Sequence, residues 1–495
     1  MKTELSRFFR QALVQAASKH DADRRKFIKQ SLVATTALAA LPFLGYNATP
    51  KRIAIVGAGL AGLNVAYQLQ KKNVLSTVYE ASSRVGGRIL TKSNFFENGI
   101  HTELGGEFID ETHVDILTLV QEMGLETYDL RQANQGNIYA LFFENRLIAL
   151  AEVVEALEPH ITRILEDAYL AKVKPEIAVL LDKLSVIEYL KNIGIGGWLF
   201  ELIAQMNTLE YGMDSGEQSA LNLLLMLEMP TENDPNYRFY GNAHEVFKIK
   251  KGNEQLPQAL AKRLQNPVVF DYKLQKITQN DTGTYLLSFV NQQTLYNVEA
   301  DFVVLALPFT ILRKLDLDIA LSDDKKRAIN ELGYGNSAKL ILGFKQRRWN
   351  KLGYQGNCFS KLPLGSGWDS SQLQNAAEAG SFTIFTAAQD AVNLQKIDET
   401  SAGLQGLASL ERIFPDIQKA YNNKILKICW ADNPLVQAGY SCYKVGQWTS
   451  IAGFEAASED NVFFAGEHTS ANFQGYMNGA AESGRIAAAK ILSRL

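Results

Sequence analysis

The most constraining stretch of this 495-residue chain runs from Ile53 to Glu80. Ile53-Ala54-Ile55-Val56 is a short, continuous apolar run, the pattern of a parallel strand buried on both faces. It leads straight into Gly57-Ala58-Gly59-Leu60-Ala61-Gly62. At that spacing the three glycines do different things. Gly57 makes the tight turn, Gly59 lets the backbone approach a pyrophosphate, and Gly62 lets the following helix pack on the strand. Leu63, Ala66, Tyr67 and Leu69 continue that helix, whose N-terminus faces phosphate. Thr77-Val78-Tyr79 then reads as a second strand ending at Glu80, eighteen residues after Gly62 and close to the roughly twenty at which an acid grips a ribose hydroxyl. A glycine loop alone is weak evidence, but strand, loop, helix, strand and acid in this order predict a nucleotide-binding α/β unit.

Three further segments extend the pattern. Arg84-Val85-Gly86-Gly87-Arg88 places a glycine pair between arginines just after the second strand, where arginines can neutralise pyrophosphate and glycines admit backbone donors. Leu104-Gly105-Gly106-Glu107-Phe108 holds another glycine pair. Near the C-terminus, Phe463-Phe464-Ala465-Gly466-Glu467-His468-Thr469 reads as a buried strand running into a glycine-flanked acid. It is followed by Gln474-Gly475-Tyr476-Met477-Asn478-Gly479-Ala480 and a small-residue helix, a way to bring a carboxylate and a helix start under a phosphate chain.

Together GAGLAG, Glu80, RVGGR and this C-terminal run resemble the flavin-containing amine oxidase superfamily, which includes monoamine, polyamine and L-amino acid oxidases and, more distantly, carotene desaturases and protoporphyrinogen oxidase. The resemblance covers nearly all of residues 51–495 and is weakest between about 110 and 240. It implies FAD, contacted by Gly57, Gly59, Leu60, Ala61, Gly62, Glu80, Ala81, Gly87, Arg88, Gly105, Gly106, Glu107, Phe108, Leu274, Trp430, Gly466, Glu467, Gly475, Tyr476, Met477 and Ala480. It implies an α/β fold, a Rossmann-type FAD-binding domain (51–108, 242–310 and 426–495) interleaved with a mixed α+β substrate domain (109–241 and 311–425).

The remaining segments are read by periodicity. Val153 to Leu227 carries apolar residues at three and four spacing and reads as a helical insertion over a substrate site. Within it, Glu210-Tyr211-Gly212 and Gln218-Ser219-Ala220-Leu221 resemble the family's substrate-domain segment, or else act as helix caps. From Phe247 to Pro308 the chain turns to strands: Val268-Val269-Phe270, Leu274 to Ile277, a hairpin turn at Asn280-Asp281-Thr282-Gly283, Tyr285 to Phe289, and the buried run Asp301 to Pro308.

For catalysis, the resemblance implies Lys339 opposite the reactive flavin nitrogen, assisting reoxidation by dioxygen, and Tyr440 and Tyr476 as paired aromatic walls for the substrate nitrogen. Lys339 begins an apolar strand, where an inward ammonium is costly unless it has a function or snorkels to the surface. For either tyrosine, core packing is the competing explanation. Gly439 stands where some members carry a flavin-bonded cysteine, and Cys442 is three residues away, so non-covalent FAD is expected. Snake-venom L-amino acid oxidases carry a carboxylate-binding arginine just after the 105–106 segment; here Glu107-Phe108-Ile109-Asp110 follows, which favours a small-molecule amine over an amino acid. An L-amino acid oxidase giving a 2-oxo acid, and a non-catalytic FAD-binding protein, are the alternatives.

Composition removes other classes. A net charge of −3 gives no reason to bind nucleic acid. The three cysteines, Cys358, Cys429 and Cys442, have neither paired nor CxxC spacing, and the six histidines are scattered, so no metal site is expected. At the N-terminus, Asp23-Arg24-Arg25-Lys26-Phe27-Ile28-Lys29 precedes an apolar run from Ser31 to Gly45 broken by Pro42. This resembles a twin-arginine export signal over 1–48, too short to span a membrane, with cleavage near Asn47-Ala48 and a periplasmic destination. The competing explanation is a basic amphipathic helix on a surface. That export route moves folded proteins and suits an enzyme that must load its cofactor first.

Overall fold

The computed structural model describes residues 51–133, 137–226, 245–363, 365–374 and 377–495. The export-type segment 1–48 lies outside the described residues.

Four short strands make a parallel sheet in the order Val462–Phe464, Phe302–Leu305, Ile53–Val56, Thr77–Tyr79. The first three are wholly buried, so each can be apolar at every position. The two faces serve different partners. Ile53, Ile55, Phe302, Val304 and Phe463 pack on helices, among them Leu60–Gln70 and Met477–Leu492. Ala54, Val56, Val303 and Leu305 pack on a second four-stranded sheet formed by Thr294–Ala300, Tyr285–Asn291, Lys273–Gln279 and Asp316–Asp318. Helices Leu60–Gln70 and Met477–Leu492 come unusually close. A Cβ on Gly484 would stand 2.5 Å from the Ala61 carbonyl, and Asn64 Nδ2 donates to Ala481 O at 2.6 Å. The small residues of the C-terminal helix thus join the last part of the chain to the first.

A seven-stranded sheet occupies the other half, ordered Tyr421–Cys429, Ser337–Phe344, Gly380–Ala387, Ser366–Asp369, Tyr354–Ser360, Asn137–Phe143, Arg146–Ile148. Ser337–Phe344 is buried along its whole length between two antiparallel neighbours. One cluster of side chains from this sheet packs against helices Leu150–Leu157, Ile161–Val173, Pro175–Asp182, Val186–Asn192, Gly197–Tyr211 and Ala220–Met226. Local chemistry delimits these helices. Ser185 and Glu188 form a reciprocal capping box, Pro175 opens its helix, and Gly212 ends another in the left-handed conformation at φ +71°. The fold is therefore the expected α/β class, a nucleotide-binding unit interleaved with a mixed α+β unit.

Three local expectations need correction. Val268-Val269-Phe270 is not a strand; Val269 makes a single parallel bridge to Tyr79 at the edge of the first sheet. The segment after Phe247 is not all strand, because Gln255–Arg263 is a helix that buries Leu256, Pro257 and Leu260. The expected boundary at 426 falls inside Tyr421–Cys429, an edge strand of the larger sheet. Leu227 lies outside the described residues, and the helical segment before it ends at Met226.

Candidate active site

One large cleft runs between the two halves, and every proposed site residue lines it except Gly62. Gly62 has the packing role its position suggests. A Cβ there would stand 2.0 Å from Gly57 O and 3.2 Å from Ile55 Cγ2, so only glycine lets the helix sit on the strand. Gly57 turns at φ +107°, where a Cβ would also meet Ala306 O at 2.7 Å. Gly59 differs from both. Its φ is −69° and a Cβ there meets no atom within 4 Å, so no protein neighbour demands glycine. The space it leaves belongs to the cleft. The adjoining helix start has no side-chain cap, leaving backbone N–H groups free to bind an anion.

Glu80 is held ready beside this loop. Its Oε2 accepts from Ala58 N at 2.7 Å and its Oε1 from Ser82 N and Oγ at 2.9 and 2.7 Å. The two arginines that flank Gly86-Gly87 diverge in role. Arg84 donates to the carbonyls of Val85, Gly87 and Ile89 and so shapes the loop rather than meeting phosphate. Arg88 crosses the cleft floor to Gly439 O at 2.7 Å and Glu467 Oε1 at 2.9 Å.

Glu467 is the knot of the C-terminal segment. Its Oε2 accepts from Ser441 Oγ at 2.7 Å and Gly475 N at 2.8 Å. Burial favours its neutral form, but Arg88 and these hydrogen bonds outweigh burial and hold the carboxyl below the usual range. The ion pair therefore links residues 88 and 467 as one charged hydrogen-bonded unit. Beside it, His468 is buried, with its ring 4.4 Å from that of Phe309. Both its nitrogens lack a protein partner, and desolvation lowers its pKa to about 3. Neither nitrogen is accessible from the cleft, so the imidazole is packed as a neutral ring in the cleft wall.

The other end of the cleft is built of side chains from scattered elements. Lys339, on Ser337–Phe344, is buried and donates to Glu103 O at 3.0 Å, Gly105 O at 2.9 Å and Glu107 Oε2 at 2.8 Å. It is an inward lysine, not a snorkelling one. Glu107 Oε1 accepts from Lys248 Nζ at 2.8 Å, making a buried Lys-Glu-Lys cluster. Desolvation would raise Glu107, but the two ammonium groups hold it at about 2. Trp430 anchors Leu104 O through Nε1 at 2.9 Å, close against Gly105. Met477 underlies Gly106, where a Cβ would be 2.7 Å from Met477 Cγ.

Tyr440 and Tyr476 are tethered to consecutive residues of one helix. Tyr440 Oη donates to Leu209 O at 3.0 Å and Tyr476 Oη to Glu210 Oε1 at 3.3 Å, at the C-terminal turn of Gly197–Tyr211. Of the segment around 210, Gly212 caps the helix and Glu210 accepts from a cleft tyrosine.

Sequence reasoning missed Lys248 and Glu103 and gave no role to His468. A lysine between Phe247 and Ile249 in a strand was a signal of the same kind as Lys339. Lys248 meets Glu107, 141 positions away, and Glu103 accepts from Asn253 N, 150 positions away, contacts beyond any local pattern, although Glu103 also accepts from the nearby Thr91.

The family model for flavin-containing amine oxidoreductases matches residues 60–492. The chain belongs to this family. It is therefore an FAD-dependent oxidoreductase acting on amines, and the cleft's open Gly59 corner and uncapped helix start fit a flavin nucleotide. Among relatives of this amine oxidoreductase, the L-amino-acid oxidase of Pseudechis australis is 26% identical over 463 residues, covering 89% of this chain and 87% of the relative. Putrescine oxidase, solved as the wild type bound to putrescine, superimposes with a TM-score of 0.76 at 19% identity, covering 90% of this chain and 99% of that one. The cyclohexylamine oxidase of Brevibacterium oxydans IH-35A gives 0.76 at 20% identity with the same coverage. These structures share the fold.

Proposed function

We propose that this amine oxidoreductase is an oxidase of small amines that holds FAD non-covalently and passes electrons to dioxygen. The observation that carries this reading is Lys339, a buried ammonium that lines the same cleft as Tyr440 and Tyr476. Bound FAD supplies a two-electron acceptor. Tyr440 and Tyr476 flank the substrate nitrogen and orient the adjacent C–H bond, which breaks as its hydrogen leaves with the electron pair. The resulting imine is hydrolysed to aldehyde and ammonia. Dioxygen takes the two electrons and two protons and leaves as hydrogen peroxide, assisted by the positive charge of Lys339.

Non-covalent binding is supported at two positions. A Cβ at Gly439 would stand 2.6 Å from Ser337 Oγ, and Cys442 is fully buried with its thiol pushed up by desolvation, away from the cleft lining. Acid precipitation should release all the flavin into the supernatant; pigment retained in the pellet would refute this.

An L-amino-acid substrate is the second reading, favoured by the Pseudechis australis relative. Against it stands the cleft's charge. Among the described lining residues the cations are Arg84, Arg88, Lys273 and Lys339. Arg84, Arg88 and Lys339 are already bonded to protein acceptors, and Lys273 is exposed. Anaerobic addition of panels of amines and L-amino acids separates the two, because only a substrate bleaches the flavin absorbance. Bleaching by amino acids alone would reverse the assignment. We also propose export by the twin-arginine route; cytoplasmic retention of an Arg24→Lys, Arg25→Lys double variant is the expected result.

A further inference from the structure

Lys339 has no spare donor. An ammonium carries three N–H groups, and Glu103 O, Gly105 O and Glu107 Oε2 take all three. Glu107 would by itself cancel the lysine's charge. It does not do so alone, because its second oxygen is taken by Lys248, whose Nζ also donates to Ser370 O at 2.9 Å and lies 5.6 Å from the Phe108 ring centre. Two ammonium groups and one carboxylate leave one net positive charge in a buried cluster. Glu107 and Lys339 line the cleft, whereas Lys248 and Ser370 stand outside its lining.

We infer that Lys248 is a positioning residue for the oxidase reaction: from behind the cleft it offsets Glu107, so that the Lys339 ammonium stays fixed without losing its net charge. This rests on the role given to Lys339 above. The other titratable groups around Glu107 are Glu103, whose carboxyl desolvation raises to about 7, and His101, which desolvation lowers to about 4. Near pH 7 the imidazole is therefore neutral, while Glu103 is passing through its own titration, so the cluster's full net positive charge is present on the acid side of pH 7 and diminishes as pH rises through it. The strand neighbours of Lys339, Phe385 and Ile428, carry no charge.

Removing Lys248 leaves a neutral Glu107–Lys339 pair. Removing the Glu107 charge as well leaves Lys339 alone and restores one net positive charge. Because Lys248 and Glu107 are in direct contact, the double variant recovers stability under either role. The flavin potential therefore decides: a packing role leaves it unmoved, whereas the charge role lowers it in the single variant and returns it in the double. The test uses dithionite-reduced holoprotein mixed with dioxygen across pH 5.5 to 9, with the midpoint potential of the bound flavin measured alongside. Lys248→Met should reoxidise at least about tenfold more slowly at pH 7, one pK unit's worth of charge interaction, with a lowered potential. Lys248→Arg and the double variant Lys248→Met, Glu107→Gln should return most of the rate and the potential. An unchanged potential in Lys248→Met, or a double variant no better than the single, overturns the inference. If reduced wild-type protein does not react with dioxygen, the oxidase reading fails instead, and the potentials still decide the role of Lys248.

Discussion

The two ends of the cleft are built on opposite principles. The nucleotide end is mostly backbone: turns at Gly57, Gly86 and Gly87, an open corner at Gly59 and an uncapped helix start, with Glu80 and Arg84 spent on holding the loops. The other end is mostly side chain: Lys339, Glu107, Lys248, Tyr440 and Tyr476 come from five separate segments, and their polar atoms are satisfied by one another or by carbonyls. Backbone sites demand the absence of a side chain, so they write themselves into short glycine spacings. Side-chain sites demand convergence, which leaves almost no local trace.

The largest expected effects contrast glycines within the first region. Gly62→Ala puts a Cβ 2.0 Å from Gly57 O, so it should destabilise the protein by about 3 kcal/mol or more, or prevent folding. Gly59→Ala meets no protein atom; apoprotein melting should stay within about 0.5 kcal/mol of wild type, while FAD affinity, read by fluorescence titration, falls on the order of a hundredfold. Equal melting losses in both variants would erase the distinction between a packing glycine and a ligand glycine.

In the second region, Lys339→Met should lower peroxide formation by about two orders of magnitude, the scale of losing one preorganised electrostatic contact, while flavin loading persists. Unchanged peroxide output would remove Lys339 from the chemistry.

A smaller effect separates the tyrosines. Tyr440→Phe leaves the buried Leu209 carbonyl without its donor and should cost about 1–3 kcal/mol of stability. Tyr476→Phe, whose bond to Glu210 is longer at 3.3 Å, should cost under about 1 kcal/mol. Melting curves in the presence of FAD would show whether that order holds.

The smallest effect is a pH slope. His468 and His101 fold as neutral rings, with desolvation placing them at about 3 and about 4. The unfolded chain binds protons on them from about pH 6.5 downward, so apoprotein stability should fall as pH drops from 6.5 toward 4. Glu103, raised by burial to about 7, acts oppositely and should cost stability as pH rises from about 4.5 to 7. His468→Phe should flatten the acid slope, as read from urea unfolding at each pH; an unaltered slope would contradict its neutral burial.

Most of the nucleotide end was legible in the sequence. Strand Ile53–Val56, the three glycines, Glu80 and the strand entering Gly466-Glu467 all occur where their spacing predicts. Legibility failed where a segment's form depends on its neighbours. Gln255–Arg263 buries only Leu256, Pro257 and Leu260 among polar residues, too sparse a stripe to announce a helix inside a strand-rich region. Val268 to Phe270 has strand composition but pairs with Tyr79 at one point only. At the site, Lys339 was visible as a charge in an apolar strand. Its three acceptors were not, because they lie more than 230 positions away.

By itself the sequence determined the nucleotide-binding half, since glycine spacing and continuous apolar strands are set by local backbone sterics and burial. It also determined that the chain's last strand and helix serve that half. Only the tertiary structure decided that Arg88 pairs with Glu467, that Arg84 shapes a loop instead, and that Lys339 shares Glu107 with Lys248. A buried charge is stable only beside its partner, and which partner it meets is a property of the closed fold rather than of any stretch of chain.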